Sequence, residues 1–207
     1  MEIIPLRYGR TTLPESMVFQ NGDKEKIREI DLIFYLVTVD ERKILVDSGC
    51  DTMPGFDLRD FCGPFAALRT HGLSPNDITD VIITHAHHDH IECVEAYKNA
   101  VVYIQRDEYE KGKKYFGKEQ KTVLFDDELE IYKGILCKKI GGHSIGSSIV
   151  IIDKDEREYV IVGDECYSKE CLSKKIPTGS SKNLKNSIAF INTYSDSRYI
   201  CLLCHEL

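Results

Sequence analysis

The segment Thr84-His85-Ala86-His87-His88-Asp89-His90 constrains this chain more than any other. It follows directly on the apolar run Val81-Ile82-Ile83, which reads as a strand. Three imidazoles (His85, His87, His90) and the carboxylate of Asp89 therefore stand together at a strand end. Imidazole nitrogen and carboxylate oxygen are ordinary ligands of zinc and other divalent first-row metals. In extended backbone the alternate residues His85 and His87 point the same way. Asp89 and His90 then point to a neighbouring position as the chain turns, so one segment can feed two metals. His71 and His88 have no strand-end or motif reason to bind metal and read as surface or hydrogen-bonded residues.

Two metals need more ligands, and the chain offers them in a repeated way. Apolar, β-branched runs at Asp31–Val39, Lys43–Val46, Val81–Thr84, Ala100–Ile104, Ile135–Ile140, Ser148–Ile152, Tyr159–Val162 and Tyr199–Leu203 read as strands. Asp47, His143, Asp164 and His205 each come at or just past the C-terminal end of such a run. Strand ends gathered on one rim would bring these side chains to one cleft. The turn Asp40-Glu41-Arg42 joins the first two runs as a hairpin, and the turn Asp153–Glu158 joins the pair around it. Helices are expected over Leu58–His71, capped by Gly72, over Arg106–Tyr115, and over Ser181–Tyr194 with Leu184, Ile188 and Ile191 on one face. Hairpins mixed with helices indicate an α/β (α+β) layered domain with helices covering sheet faces.

The bulk properties narrow the function. The 207 residues, 42% of them hydrophobic, suit a single domain over 1–207. With 27 basic against 34 acidic residues and a net charge of −7, nothing suggests a nucleic-acid partner. Lys111, Lys113, Lys114 and Lys118 lie among Glu108, Glu110 and Glu119 and read as a solvated face. The stretch Lys111–Asp127 reads as a surface loop, with a lid or an interface as the other reading. No apolar stretch approaches the ~20 residues of a membrane span. The N-terminus lacks the pattern of an export signal, and the eight cysteines are irregularly spaced. A soluble, cytoplasmic protein with free thiols is expected.

Taken in order, these residues resemble the metallo-β-lactamase superfamily. The HxHxDH motif is here His85-Ala86-His87-His88-Asp89-His90, flanked by the strand-end Asp47, Gly142-His143, Gly163-Asp164 and the late His205. The resemblance implies a four-layer αββα sandwich, two mixed sheets with helices on the outer faces. It implies that His85, His87 and His143 bind one metal, that Asp89, His90 and His205 bind a second, and that Asp164 bridges both. Asp47 would orient the ligand loops. Within the superfamily the chain is most similar to the N-acyl homoserine lactone lactonases, through Ile44-Leu45-Val46-Asp47-Ser48-Gly49, Gln105-Arg106-Asp107-Glu108-Tyr109 and Asp164-Glu165-Cys166-Tyr167. Those lactonases carry a tyrosine three residues past the bridging aspartate, and Tyr167 stands there. After His90, where the family has small glycine-rich residues, this chain has Ile91-Glu92-Cys93.

The expected activity is therefore hydrolysis. Two divalent ions, zinc foremost with iron or manganese as alternatives, would share a hydroxide that attacks an ester-like carbonyl. Asp89 or Asp164 would pass a proton to the leaving oxygen, assisted by Tyr167. The substrate class is a small molecule, a lactone on the nearest resemblance and a thioester on a glyoxalase II-like alternative; a homodimer is the candidate assembly. A di-iron redox protein is the rival of different chemistry, although flavodiiron proteins carry glutamate where this chain has His87. The run Cys201-Leu202-Leu203-Cys204-His205 matches a haem-attachment pattern formally, but it reads as a buried strand with His205 engaged elsewhere.

Overall fold

The computed structural model describes residues 1–207. The chain forms two compact units, one of Met1–Thr11 with Asp31–Phe125, the other of Thr12–Ile30 with Asp126–Leu207. Eleven strands run in chain order: β1 (Glu2–Pro14), β2 (Ile27–Val39), β3 (Arg42–Val46), β4 (Asp80–Ile83), β5 (Val101–Gln105), β6 (Thr122–Phe125), β7 (Glu128–Tyr132), β8 (Ile135–Lys139), β9 (Ser148–Lys154), β10 (Arg157–Ile161) and β11 (Tyr199–Leu202). Six α-helices accompany them: α1 (Glu15–Val18), α2 (Pro64–Arg69), α3 (His88–Ile91), α4 (Arg106–Gly112), α5 (Lys169–Lys174) and α6 (Leu184–Tyr194). One sheet has the order β1-β2-β3-β4-β5-β6 and the other β11-β10-β9-β8-β7. Both are mixed: β3 to β6 pair in parallel, as do β10 and β11, while β2–β3 and β7 to β10 pair antiparallel. No helix is long and apolar enough to cross a membrane.

The core of the first unit follows from its parallel strands. Strands buried on both faces read as continuous apolar runs. Leu45, Val81 and Val102 lie side by side in register, each wholly buried, and Leu68, Ile91 and Tyr97 pack against the same cluster. Burial of each such side chain contributes about 1.5–3 kcal/mol. In the second unit Ile149, Val160, Val162, Phe190, Ile191 and Tyr194 form the core with Val18 and Phe19.

Both expected hairpins form. Val39 pairs with Arg42 across Asp40-Glu41, with Asp40 at φ 48°. Lys154 pairs with Arg157 across Asp155-Glu156, both at positive φ, the geometry that matches the twist of two-residue hairpins.

Several expectations are corrected. The helix expected over Leu58–His71 is only α2, because Gly63 at φ 79° breaks the chain and Pro64 starts the helix at its first position; Gly72, at φ 71°, stands just past its end as expected. In α6 the buried face is Ser187, Phe190, Ile191 and Tyr194, while Leu184 and Ile188 are exposed. Two aromatic rings offer more apolar area than Leu184 and Ile188, and they decide which face turns inward. The stretch Lys111–Asp127 is not a plain loop: it holds the end of α4, a short 3-10 turn at Lys113–Tyr115, and β6 on the edge of its sheet.

Candidate metal centre

In the first unit the site is built on the ends of β3 and β4. Their parallel register sets Val46 beside Ile82, so the residues that follow, Asp47 and Thr84, meet. Asp47 is buried and accepts from the Thr84 backbone N–H at 2.8 Å and from the Thr84 hydroxyl at 2.9 Å and 3.0 Å. Its other role is toward His90, whose Nδ1 lies 2.7 Å from Asp47 Oδ2. A carboxylate on Nδ1 fixes the tautomer and leaves Nε2 as the donor toward a metal.

His85 and His87 come together as alternation requires, Nε2 to Nδ1 at 3.0 Å, and the rings of His85 and His90 lie 4.2 Å apart. Asp89 Oδ2 is 3.5 Å from His90 Nε2. His88 turns elsewhere, to the Tyr115 hydroxyl at 3.0 Å and the Thr52 carbonyl at 2.7 Å.

The loop itself is tied from several sides. Ser48 donates to the His90 carbonyl through its backbone N–H and its hydroxyl, and the buried Tyr8 hydroxyl donates to the Asp89 carbonyl at 2.9 Å. Glu108, read from sequence as part of a solvated face, is buried and accepts from the Ala86 N–H at 2.9 Å while pairing with Lys111 at 2.9 Å. Ile91-Glu92-Cys93 serve the same end: Ile91 is buried, Glu92 accepts from the Asp51 N–H, and the Cys93 N–H donates to the Gly49 carbonyl.

In the second unit Asp164 is the centre. Parallel β10 and β11 pair Ile161 with Leu202, so both chains leave the sheet at the same end, toward Asp164 and His205. Asp164 Oδ1 lies 2.8 Å from His205 Nε2, and its Oδ2 accepts from the Tyr167 hydroxyl at 2.6 Å and lies 3.3 Å from His143 Nε2. The Tyr167 ring stacks on His205, centroids 4.7 Å apart at 14°. His143, Asp164, Tyr167 and His205 are all buried.

The Gly142-His143 turn explains its own sequence. A Cβ at Gly142 would meet Glu165 Oε2 at 2.3 Å and Ser187 Oγ at 2.6 Å, so only glycine fits. Gly142→Ala is expected to cost about 1–3 kcal/mol through forced displacement of packed neighbours, read as a lowered midpoint in thermal or urea unfolding; an unchanged midpoint would show that the turn yields freely.

The donor set fits divalent metals. It is imidazole nitrogen and carboxylate oxygen, with second partners fixing Asp47–His90 in one unit and Asp164 in the other, whereas closed structural zinc sites are usually cysteine-rich. Asp47→Asn is therefore expected to weaken metal binding by roughly 10–100-fold through His90, measurable by competition with a chromogenic chelator; wild-type affinity would refute that role. The residues that sequence reading missed are those acting through backbone: Tyr8, Ser48, Glu108 and Glu165. Ser48, Glu108 and Glu165 lie in segments that carry the family resemblance, but their residue types alone did not indicate these roles, and Tyr8 lies outside every such segment.

The sequence profile of the metallo-β-lactamase superfamily matches residues 34–200. A probable metallo-hydrolase of Methanocaldococcus jannaschii is 34% identical over 168 residues, 79% of this chain and 70% of that protein. An N-acyl homoserine lactonase of Bacillus cereus is 25% identical over 193 residues, 82% of this chain and 77% of that protein. Among solved structures, a mutant of the Bacillus thuringiensis lactonase AiiA with N-decanoyl-L-homoserine bound at its active site superposes with a TM-score of 0.83 at 20% identity, covering 99% of this chain and 93% of that one. AidC, a dizinc quorum-quenching lactonase in complex with a product, gives 0.80 at 18% identity, covering 99% and 87%. The superpositions establish the fold, two mixed sheets with helices, and the profile establishes descent: the chain belongs to the metallo-β-lactamase superfamily and is a metal-dependent hydrolase.

Proposed function

We propose that this hydrolase opens a lactone ring, and that Tyr167 is the residue that commits it to that substrate class. The observation that carries this reading is the 2.6 Å hydrogen bond from the Tyr167 hydroxyl to Asp164 Oδ2, with the ring held flat on His205. Tyr167 and His205 also line a cavity of about 310 Å³ whose apolar wall is Val18, Phe19 and Ile30. Arg28, Glu29, Glu170 and Glu206 line other parts of it, so the cavity suits a small ester that carries both an apolar and a polar part. The likeness to N-acyl homoserine lactonases points the same way.

In this reading His85, His87 and His143 hold one divalent ion, Asp89, His90 and His205 hold the other, and Asp164 serves both; zinc is the proposed metal. Such ions supply polarisation of the carbonyl and a water acidic enough to react at neutral pH. The chain supplies the rest. Tyr167 donates its hydroxyl hydrogen toward the substrate oxygen that gains charge as the carbonyl is attacked. Asp164, already in contact with Tyr167, or Asp89 carries a proton to the leaving ring oxygen. A reducing, cytoplasmic setting is proposed from the irregular spacing of the eight cysteines.

The test is an assay of N-acyl homoserine lactones beside a glutathione thioester, with acid release as the readout for ring opening. Wild-type protein is expected to favour the lactone. Tyr167→Phe is expected to lower kcat by about 10²-fold, as loss of one oxyanion donor does, with KM little changed. Preference for the thioester, or full lactonase activity in Tyr167→Phe, would overturn the reading.

A further inference from the structure

We propose that Glu165 is a positioning residue for His143, a buried anionic clasp that sets the Gly142-His143 turn so that the imidazole can bind metal. The proposal rests on the reading of His143 as a ligand. Glu165 is 1% exposed. Its Oε1 accepts from the backbone N–H of Gly142 at 3.1 Å and of His143 at 3.1 Å, and from the Ser147 hydroxyl. Two successive N–H groups aimed at one carboxylate oxygen form a small anion-binding concavity, and hydrogen bonds to a charged acceptor are roughly twice as strong as neutral ones.

The opposite side of the turn is fixed as firmly. The Gly142 carbonyl accepts from the backbone N–H groups of Lys182 at 2.8 Å and Asn183 at 2.9 Å and from the Ser181 hydroxyl at 3.2 Å. Asn186 Nδ2 donates to the carbonyls of Ile140 and Gly141. The turn is thus gripped by donors on its carbonyl face and by one carboxylate on its N–H face. Glu165 is also the residue next to Asp164, so the clasp couples the placement of His143 to that of the carboxylate 3.3 Å from its Nε2. A ligand held by such a shell keeps its orientation to within the fractions of an ångström that metal geometry demands.

The test compares Glu165→Ala, Glu165→Gln and Glu165→Asp with His143→Ala as the control. Readouts are zinc affinity by chelator competition and the visible spectrum of the cobalt(II)-substituted protein. Glu165→Ala is expected to weaken one zinc site by roughly 10–100-fold and to change the cobalt spectrum. Glu165→Gln keeps an acceptor oxygen but not the charge and is expected to fall between wild type and Glu165→Ala, a graded rescue that general destabilisation would not give. Should Glu165→Ala fail to fold, Glu165→Asp, which keeps the charge but withdraws it by one methylene, must show the loss. Wild-type affinity and spectrum in folded Glu165→Ala or Glu165→Asp, or Glu165→Gln as weak as Glu165→Ala, would overturn the clasp. If His143→Ala itself retains both zinc ions, it is the ligand reading that fails.

Discussion

Asp164→Asn is expected to abolish hydrolysis and to strip metal from a protein that still folds. Asparagine keeps the shape of the side chain and one acceptor oxygen, so Tyr167 and His205 retain a neighbour of the same size at the centre of the second unit. What goes is one negative charge. On the proposed assignment two divalent ions would bring +4 and Asp89 with Asp164 −2, so the substitution would raise the uncompensated charge from +2 to +3. A unit charge pair near 4 Å at an effective dielectric of 20 is worth about 4 kcal/mol. That corresponds to about a thousandfold in affinity for an ion that loses this ligand, and if Asp164 serves both ions as proposed, both would feel the loss. The measurement is metal content after desalting, followed by lactone hydrolysis and circular dichroism. Folded Asp164→Asn protein that keeps two ions and wild-type turnover would remove Asp164 from the site.

The legibility of this site in the sequence has a physical origin. Parallel strands in register end together, so Val46 beside Ile82 and Ile161 beside Leu202 bring the polar residues that follow them to a common end within each unit. The strand-end placement of Asp47, His85, Asp164 and His205 is legible because each comes at or just past the end of an apolar run. Residues acting through backbone are not. Nothing in the charged stretch around Glu108 signals that it turns inward to the Ala86 N–H, since its neighbours Glu110 and Lys113 pair with each other on the surface. Strand β1 is hidden by Pro5 and Gly9, residue types depleted in strands, even though Leu6 and Tyr8 flank Arg7 with the alternation a strand shows. Of the three aliphatic residues expected on the buried face of α6, Ile191 is buried, whereas Leu184 and Ile188 give way to the aromatic pair Phe190 and Tyr194, centroids 5.1 Å apart.

Removing the metal by chelation is expected to lower the melting temperature strongly without unfolding the protein. Each unit has a hydrophobic core of its own, one around Leu45, Val81 and Val102 and one around Ile149, Val160 and Phe190, and neither core includes a proposed ligand. Folding therefore does not wait for an ion, unlike in small domains whose only core is the metal. An ion that binds the folded chain alone still adds stability by mass action, about 4.1 kcal/mol when free metal stands at a thousand times its dissociation constant. For a chain of this length each kcal/mol shifts the midpoint by about 2–4 °C. Chelation should thus lower it by about 8–16 °C per ion lost, and readdition of zinc should restore it. His87→Ala, which removes one ligand and leaves both cores intact, should start from a lower midpoint and respond less to chelator. An equal midpoint with and without chelator, in protein shown to have lost its metal, would mean that the bound ions add nothing to the stability of the folded chain.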